Sequence, residues 1–263
     1  MMEGPGSENF YIDPDFGFVT TQALFDFETT SAFNLLLTVT DLEGLTSNAT
    51  FMVTLIDVND NSPTFDPMVL DLTIPESAEF GSELTVVSAN DLDSAENAFV
   101  TYTVNSADID RAFTIDSVTG VISVNRQLNY ETRQSYMLVV TATDGGTPQR
   151  NGTLTINLNV LDENDNPPII LNPLPEFVIT ENIPVGTLVG QMRASDADSG
   201  ANAQLVFEII SGNEASRFTI DGTSGRITTN DTIDREQQGL YLLNIEVKLQ
   251  YFIGALFGMD VSY

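Results

Sequence analysis

Apolar and polar side chains alternate with a period of two along most of this chain. Phe33, Leu35, Leu37 and Val39 alternate with less apolar neighbours, and Tyr136, Leu138, Val140 and Ala142 repeat the pattern. So do Tyr241, Leu243, Ile245 and Val247, while Leu154, Ile156, Leu158 and Val160 are interleaved with Thr155, Asn157 and Asn159. A period of two puts one set of side chains on one face of an extended segment, so these windows predict half-buried antiparallel strands. Clusters of Gly, Asn and Asp separate them, as at residues 144–148 (Asp-Gly-Gly-Thr-Pro) and at Asn151 and Gly152. No long segment carries a helical period with caps. Several short strands at regular spacing predict an all-β protein built of β-sandwiches.

The pattern recurs at the scale of a domain. Asp-Val-Asn-Asp-Asn-Ser-Pro begins at Asp57, and Asp-Glu-Asn-Asp-Asn-Pro-Pro begins at Asp162, 105 residues later. At the same offset Glu76 is matched by Glu181, Asp91 and Asp93 by Asp196 and Asp198, Phe113, Asp116 and Gly120 by Phe218, Asp221 and Gly225, and Glu131 by Glu236. A partial copy fits at an offset of 103, where Phe10, Gly17, Glu28 and Asp41 answer to Phe113, Gly120, Glu131 and Asp144. Repeats of this length are tandem domains rather than solenoid units. The expected division is 1–63 as the C-terminal half of a repeat, 64–168 as a complete repeat, and 169–263 as a third, incomplete one, off-pattern after about 247. Pro63, Pro167 and Pro168 end one domain's last strand and open the next in an extended conformation.

Composition narrows the chemistry. With 263 residues, 42% of them apolar, the chain can bury substantial cores. It carries 38 acidic against 9 basic residues, a formal net charge of -29. Such a chain repels nucleic-acid phosphates and attracts cations. There is no Cys and no His, which removes thiolate and imidazole catalysis and most zinc and transition-metal sites. The N-terminal stretch has neither the basic nor the apolar region of a secretion signal. The apolar run at 251–259 is far short of the about 20 residues a membrane helix needs. The chain is therefore expected to be a piece of a longer protein.

The carboxylates gather at domain ends. Asp-x-Asn-Asp-Asn supplies carboxylates, side-chain amides and backbone carbonyls within five residues. Calcium takes six to eight such oxygens in irregular geometry, whereas magnesium demands a tighter octahedron. The pattern is not an EF-hand, which needs Gly at position 6 and Glu at position 12. Those positions hold Ser62 and Met68 in one copy and Pro167 and Pro173 in the other. A lone Asp in a loop is commonly just solvated, but five acidic motifs in register are not explained that way. Paired acids such as Asp91 and Asp93 also bring a glycosidase to mind, yet they recur once per repeat, and a catalytic site rarely does. The chain is not expected to be an enzyme or to take a small-molecule substrate.

Taken together, Glu76, Asp91 with Asp93, the Leu-Asn-Tyr-Glu stretch ending at Glu131, Asp144-Gly-Gly and the Asp162 motif resemble the calcium-binding signature of the cadherin extracellular repeat, over about residues 10–247. The resemblance implies tandem immunoglobulin-like Greek-key β-sandwiches, one complete and two partial, with up to three calcium ions at each junction. Carried onto this chain, the first junction would use Asp26, Glu28, Asp57, Asn59, Asp60 and Asn61, with Asp91, Asp93, Asp144 and a carbonyl near Asn97. The second would use Glu76, Glu131, Asp162, Asn164, Asp165 and Asn166, with Asp196, Asp198 and a carbonyl near Asn202. Three departures leave both sets incomplete. The first junction lacks its opening Glu, Asn129 stands where the family has Asp, and Leu249 stands where an Asp should close the second junction's innermost site.

What the resemblance implies for function is a calcium-dependent cell–cell adhesion module at the extracellular face of the plasma membrane, attached through a span outside this chain. Its partners would be other cadherin ectodomains, homophilic or heterophilic. The alternative is a non-adhesive, calcium-stiffened spacer or ligand-binding array. The chain has no Trp, so adhesion by exchange of a strand anchored by Trp is not expected of it. Asn48, Asn151 and Asn230 head N-glycosylation sequons. A hairpin before the last strand would expose Asn48 and Asn151.

Overall fold

The computed structural model of the chain describes residues 1–106, 111–173 and 175–250; the apolar run at 251–259 lies outside them. Among the described residues the regular structure is β-strand, apart from one 3-10 turn at Ser7–Asn9. Among the described residues no helix is long and apolar enough to cross a membrane. The chain forms two compact units. One comprises Met1–Ile74, Ala78–Gln127 and Ser135–Asn159, the other Pro75–Ser77, Leu128–Gln134 and the chain from Val160 onward.

In the first unit, β1 (Met2–Glu3), β4 (Ala32–Thr40) and β5 (Thr46–Thr54) form one antiparallel sheet, and β2 (Phe10–Ile12) pairs with β3 (Val19–Thr21). The next strands in chain order are β6 (Val69–Pro75), β7 (Glu83–Val86), β8 (Thr101–Ser106), β9 (Phe113–Ile115), β10 (Val121–Val124), β11 (Ser135–Thr143) and β12 (Asn151–Leu161). They build a four-stranded sheet in the order β6-β12-β11-β8 and a three-stranded sheet in the order β7-β10-β9. This is the expected sandwich, and its core is the alternating set. Leu138, Val140, Ala142 and Ile156 are fully buried, as are Ile122 and Val124 of the facing sheet. Phe113 of one sheet meets Tyr136 of the other edge-on, with ring centroids 5.2 Å apart.

The same edge-on pair joins Phe10 to Phe33 at 5.3 Å in the first segment, and Phe218 to Tyr241 at 5.1 Å in the third. In the second unit β13 (Ile169–Ile170) pairs with β15 (Ala194–Ser195), and β14 (Leu188–Gln191) and β17 (Phe218–Ile220) flank β18 (Arg226–Thr229). β16 (Leu205–Ser211) pairs with β19 (Asn244–Leu249). Met192, Phe207, Phe218, Ile227 and Ile233 form that core.

Two local details differ from the strand pattern. β19 starts at Asn244, so Tyr241 and Leu243 pack on the core without joining the ladder. The ladder is interrupted by a bulge between Ile209 and Ser211, where Gly212 takes φ +82° beside the Leu242 carbonyl. β19 also runs on to Leu249, two residues past the last alternating position. A further recurrent feature is structural rather than chemical. The Asp116 side chain accepts the Val118 and Thr119 N–H groups while Gly120, at φ +72°, closes the turn onto Asp116 O. Asp221 and Gly225 repeat this turn.

Candidate metal centres

Each acidic motif begins where a ladder ends. Asp57 lies just beyond the end of β5 at Thr54, and Asp162 immediately follows the last residue of β12. With no strand partner, the backbone of each motif is free to turn its oxygens toward a common point.

The first centre lies wholly in the first unit. Carboxylate oxygens of Glu28, Asp60 and Asp93 come within 4.8 Å of one another. Asp57 Oδ2 accepts the Ser94 N–H at 2.8 Å, the Ser94 hydroxyl at 3.0 Å and Asn97 Nδ2 at 3.0 Å. Asn61 Nδ2 donates to Asp60 Oδ1 at 2.9 Å and to Asp93 Oδ1 at 2.7 Å. Asp91 Oδ1 accepts the Asp93 N–H at 3.0 Å. Buried Asp144 accepts the Gly146 and Arg150 N–H groups, and buried Asn59 donates Nδ2 to the Pro148 carbonyl at 2.6 Å. Asp26 is exposed, and its carboxylate is taken up by the turn, accepting from Glu28 N, Thr29 N and the Thr29 hydroxyl.

The second centre lies wholly in the second unit and holds two overlapping triads. Glu76, Glu131 and Asp165 form one, and Glu131, Asp162 and Asp198 the other, each with oxygens within 4.8 Å. Buried Glu76, at the end of β6, accepts the Glu163 N–H at 2.8 Å and the Tyr130 N–H at 2.7 Å. Asp162 Oδ2 accepts Asn202 Nδ2 at 2.9 Å, and Asp196 Oδ1 accepts the Asp198 N–H at 3.1 Å. Asn166 Nδ2 donates to Asp165 and Asp198, both at 2.7 Å. Asn164 is exposed. Asn129 Oδ1 accepts the Thr132 N–H, closing the turn that carries Glu131. Near Asn97 and Asn202, where a carbonyl ligand was expected, the side-chain amides also bond the motif's first Asp.

Desolvation first, and neighbouring carboxylates after it, shift the acidity of the clusters. Partial desolvation, then Asp26, Asp57 and Asp60, push the Glu28 carboxyl up. Desolvation, then the charges of Glu76, Asp198 and Asp162, push Asp165 up. At Glu131 its own backbone N–H works to lower the pKa, but desolvation and Glu76, Asp165 and Asp198 outweigh it and the carboxyl is raised. Asp57 is lowered, chiefly by the Ser94 N–H, and Asp26 by the Thr29 hydroxyl. Two carboxylates about 4 Å apart repel by roughly 4 kcal/mol at a protein-surface dielectric.

The donor set fits a hard cation. Among the described residues, the buried side-chain polar atoms with no hydrogen-bond partner are Asp57 Oδ1, Asn59 Oδ1, Asp91 Oδ2, both Glu131 carboxylate oxygens, Asp196 Oδ2 and Asp198 Oδ2. All of them are oxygens, and all fall in these two centres. Leaving such an atom unpaired costs about 1–3 kcal/mol, more when it is charged. A fold that concentrates every such cost at two points has oxygens set for a ligand, and oxygen-only donors of this density suit calcium.

A third cluster was not among the expected ligands. Glu181, Asp234 and Glu236 bring oxygens within 4.8 Å. The repeat offset carries the signal, since Glu181 and Glu236 match Glu76 and Glu131, and Asp234 falls at the place of Asn129. The three sequon residues are exposed. Asn48 lies within β5 and Asn151 is the first residue of β12, and Asn230 Nδ2 donates to Ser216 O at 2.9 Å.

Comparison with known proteins gives the family of the chain. The cadherin domain model matches residues 71–161 and 175–252. Human protocadherin Fat 1 is 37% identical over 245 residues, 92% of this chain and 5% of its own length. Human cadherin-23 is 37% identical over 247 residues, 91% of this chain and 7% of its own. The protocadherin-like wing polarity protein stan of Drosophila melanogaster is 34% identical, again over 91% of this chain and 7% of its own length. The chain thus spans a small fraction of these relatives. Among solved structures, human cadherin-23 EC21–23 superposes with a TM-score of 0.77 at 33% identity, covering 88% of this chain and 74% of that one. A protocadherin γB7 EC3–6 cis dimer superposes with a TM-score of 0.81 at 27% identity, covering 95% and 63%. These relatives are adhesion proteins, not enzymes. With the family model matched over more than half its length, the chain belongs to the cadherins and consists of tandem cadherin repeats.

Proposed function

We propose that this chain is a stretch of a cadherin ectodomain whose repeat junctions are stiffened by calcium, and that it serves calcium-dependent cell–cell adhesion outside the plasma membrane. The observation that carries this reading is that, among the described residues, the unpartnered buried side-chain oxygens are confined to the two acidic centres. Bound there, a divalent cation would supply the positive charge and the coordination those oxygens lack. Glu28, Asp57, Asn59, Asp60, Asp91, Asp93 and Asp144 would hold it in the first centre, and Glu76, Glu131, Asp162, Asp165, Asp196 and Asp198 in the second. Asp26 and Asn164 are exposed members of the expected sets, which the backbone carbonyls of Asn61 and Asn166 complete. The repeat boundaries fall near 63 and 168 in this reading, so each centre takes ligands from both sides of a boundary.

Without a cation the clustered carboxylates repel and the junctions loosen; with it they draw the flanking segments together. Extracellular calcium modules bind at about 10⁻⁴–10⁻³ M, so such sites fill outside the cell and stay empty in cytosol. The relatives' names support adhesion, and the cis dimer of protocadherin γB7 supports other cadherin ectodomains as partners. X-ray scattering tests the stiffening. The maximum dimension of the chain should lengthen and its distribution narrow on adding calcium, and superimposable profiles would refute it. Calcium-dependent aggregation of beads coated with this chain separates adhesion from the alternative, a spacer that stiffens without sticking.

A further inference from the structure

The two centres differ at one loop. In the first, Asp144 immediately follows β11 and is followed by Gly145, Gly146, Thr147 and Pro148. Asn59 is only 5% exposed, and its Nδ2 is fixed by the Pro148 carbonyl at 2.6 Å. With Nδ2 so held, Asn59 Oδ1 is buried and has no hydrogen-bond partner. The amide packs against Gly146, where a Cβ would come within 2.3 Å of both Asn59 Cγ and Nδ2. Gly146 N meanwhile donates to Asp144 Oδ1 at 3.1 Å, so one short loop sets both an Asp carboxylate and the Asn amide.

The sequence of the second unit does not repeat this loop. The pair Val206↔Lys248 in β16 and β19 lies 105 residues on from Thr101↔Thr143 in β8 and β11. The ladder register therefore puts Leu249 at the place of Asp144, paired with Leu205. Gln250 follows it, and the sequence has Tyr251 at the place of Gly146. Asn164, the counterpart of Asn59, is exposed, and its side-chain oxygen is not among the buried unpartnered ones.

Resting on the calcium reading above, we propose that Gly146 is a positioning residue for Asn59, so that the inner calcium site exists at the first centre and is missing at the second. A methyl group at 146 pushes the amide off the Pro148 carbonyl and takes Asn59 Oδ1 with it. The site depends on the absence of a side chain as much as on the acids.

Native mass spectrometry of the full chain across a calcium titration tests this. Gly146→Ala, Asn59→Ala and Asp144→Asn should each lower the maximum number of bound calcium ions by one. Thr147→Ala, an exposed neighbour in the same loop, should not lower it. Adding Gly146→Ala to Asn59→Ala should cost nothing further, which a general loosening of the loop would not reproduce. Unfolding in chelator checks that each variant folds, and if Gly146→Ala does not, Gly146→Ser combined with Asn59→Gly, which removes the clashing amide, should fold and bind one ion fewer. An undiminished ion count in Gly146→Ala, or an additive loss in the double variant, would overturn the proposal. A wild-type chain that binds no calcium would instead refute the reading beneath it.

Discussion

Asn61 donates its side-chain amide to Asp93 at 2.7 Å, from one acidic motif to the next across 32 residues of chain. Asn166 makes the same bond to Asp198 at the same distance. A carboxylate in a cluster of like charges has every reason to swing away, and this amide holds it in place. Asn166→Ala should lower stability in chelator by about 1.5–3 kcal/mol, the range for a hydrogen bond to a charged group. Urea unfolding in the absence of calcium checks it.

Glu131 is the hinge of the second centre, common to both triads, with neither carboxylate oxygen hydrogen-bonded. Glu131→Gln removes a charge that is costly without a cation and needed with one. In chelator the variant should be at least as stable as the parent. In calcium it should bind at least tenfold more weakly at that centre, a loss of about 1.4 kcal/mol or more. Calorimetric titration paired with thermal unfolding in each condition distinguishes the two effects.

The core should answer differently. Ile156 is fully buried in β12, between Leu154 and Leu158 on the same face. Ile156→Ala should cost about 2–5 kcal/mol through the cavity it leaves. Equilibrium unfolding should show a penalty of similar size with and without calcium, because the residue lies in the apolar interior rather than at a centre.

Acid should act in opposite directions with and without calcium. Glu28 and Glu131 are raised above 4.5 and Asp165 above 3.8, so the fold without calcium favours their protonated forms. Their contribution is fully present below the unfolded-state values and is lost as pH rises through the folded ones. In chelator, stability should therefore increase as pH falls from neutral toward that window. Below it the lowered carboxylates of Asp57, Asp116 and Asp221 become protonated and stability falls again. In calcium, protons compete with the cation and the first fall in pH should already destabilise. Unfolding midpoints against pH in the two buffers trace both curves.

Much of this was legible in the sequence because it repeats. Tyr136, Leu138, Val140 and Ala142 alternate in the sequence and are all buried in β11. Phe10, Phe113 and Phe218 recur at the repeat offset and make the same edge-on ring contact each time. The acids of the two motifs could be grouped because each returns at a fixed distance. What could not be read were properties of three-dimensional approach. Nothing in the spacing says that Gly146 lies under Asn59, or that Asn97 and Asn202 spend their side-chain amides on Asp57 and Asp162. Nor does the alternation of Tyr241 and Leu243 show that a bulge beside Gly212 delays the strand until Asn244.

Calorimetric titration of the chelator-treated chain with calcium is the most direct test of the central claim, that the unpartnered oxygens of the two acidic centres are calcium ligands. The account predicts saturable binding at about 10⁻⁴–10⁻³ M, with part of the signal lost in Asp57→Asn and a different part in Glu131→Gln. No binding up to about tenfold above that range, or binding that neither substitution alters, would contradict it.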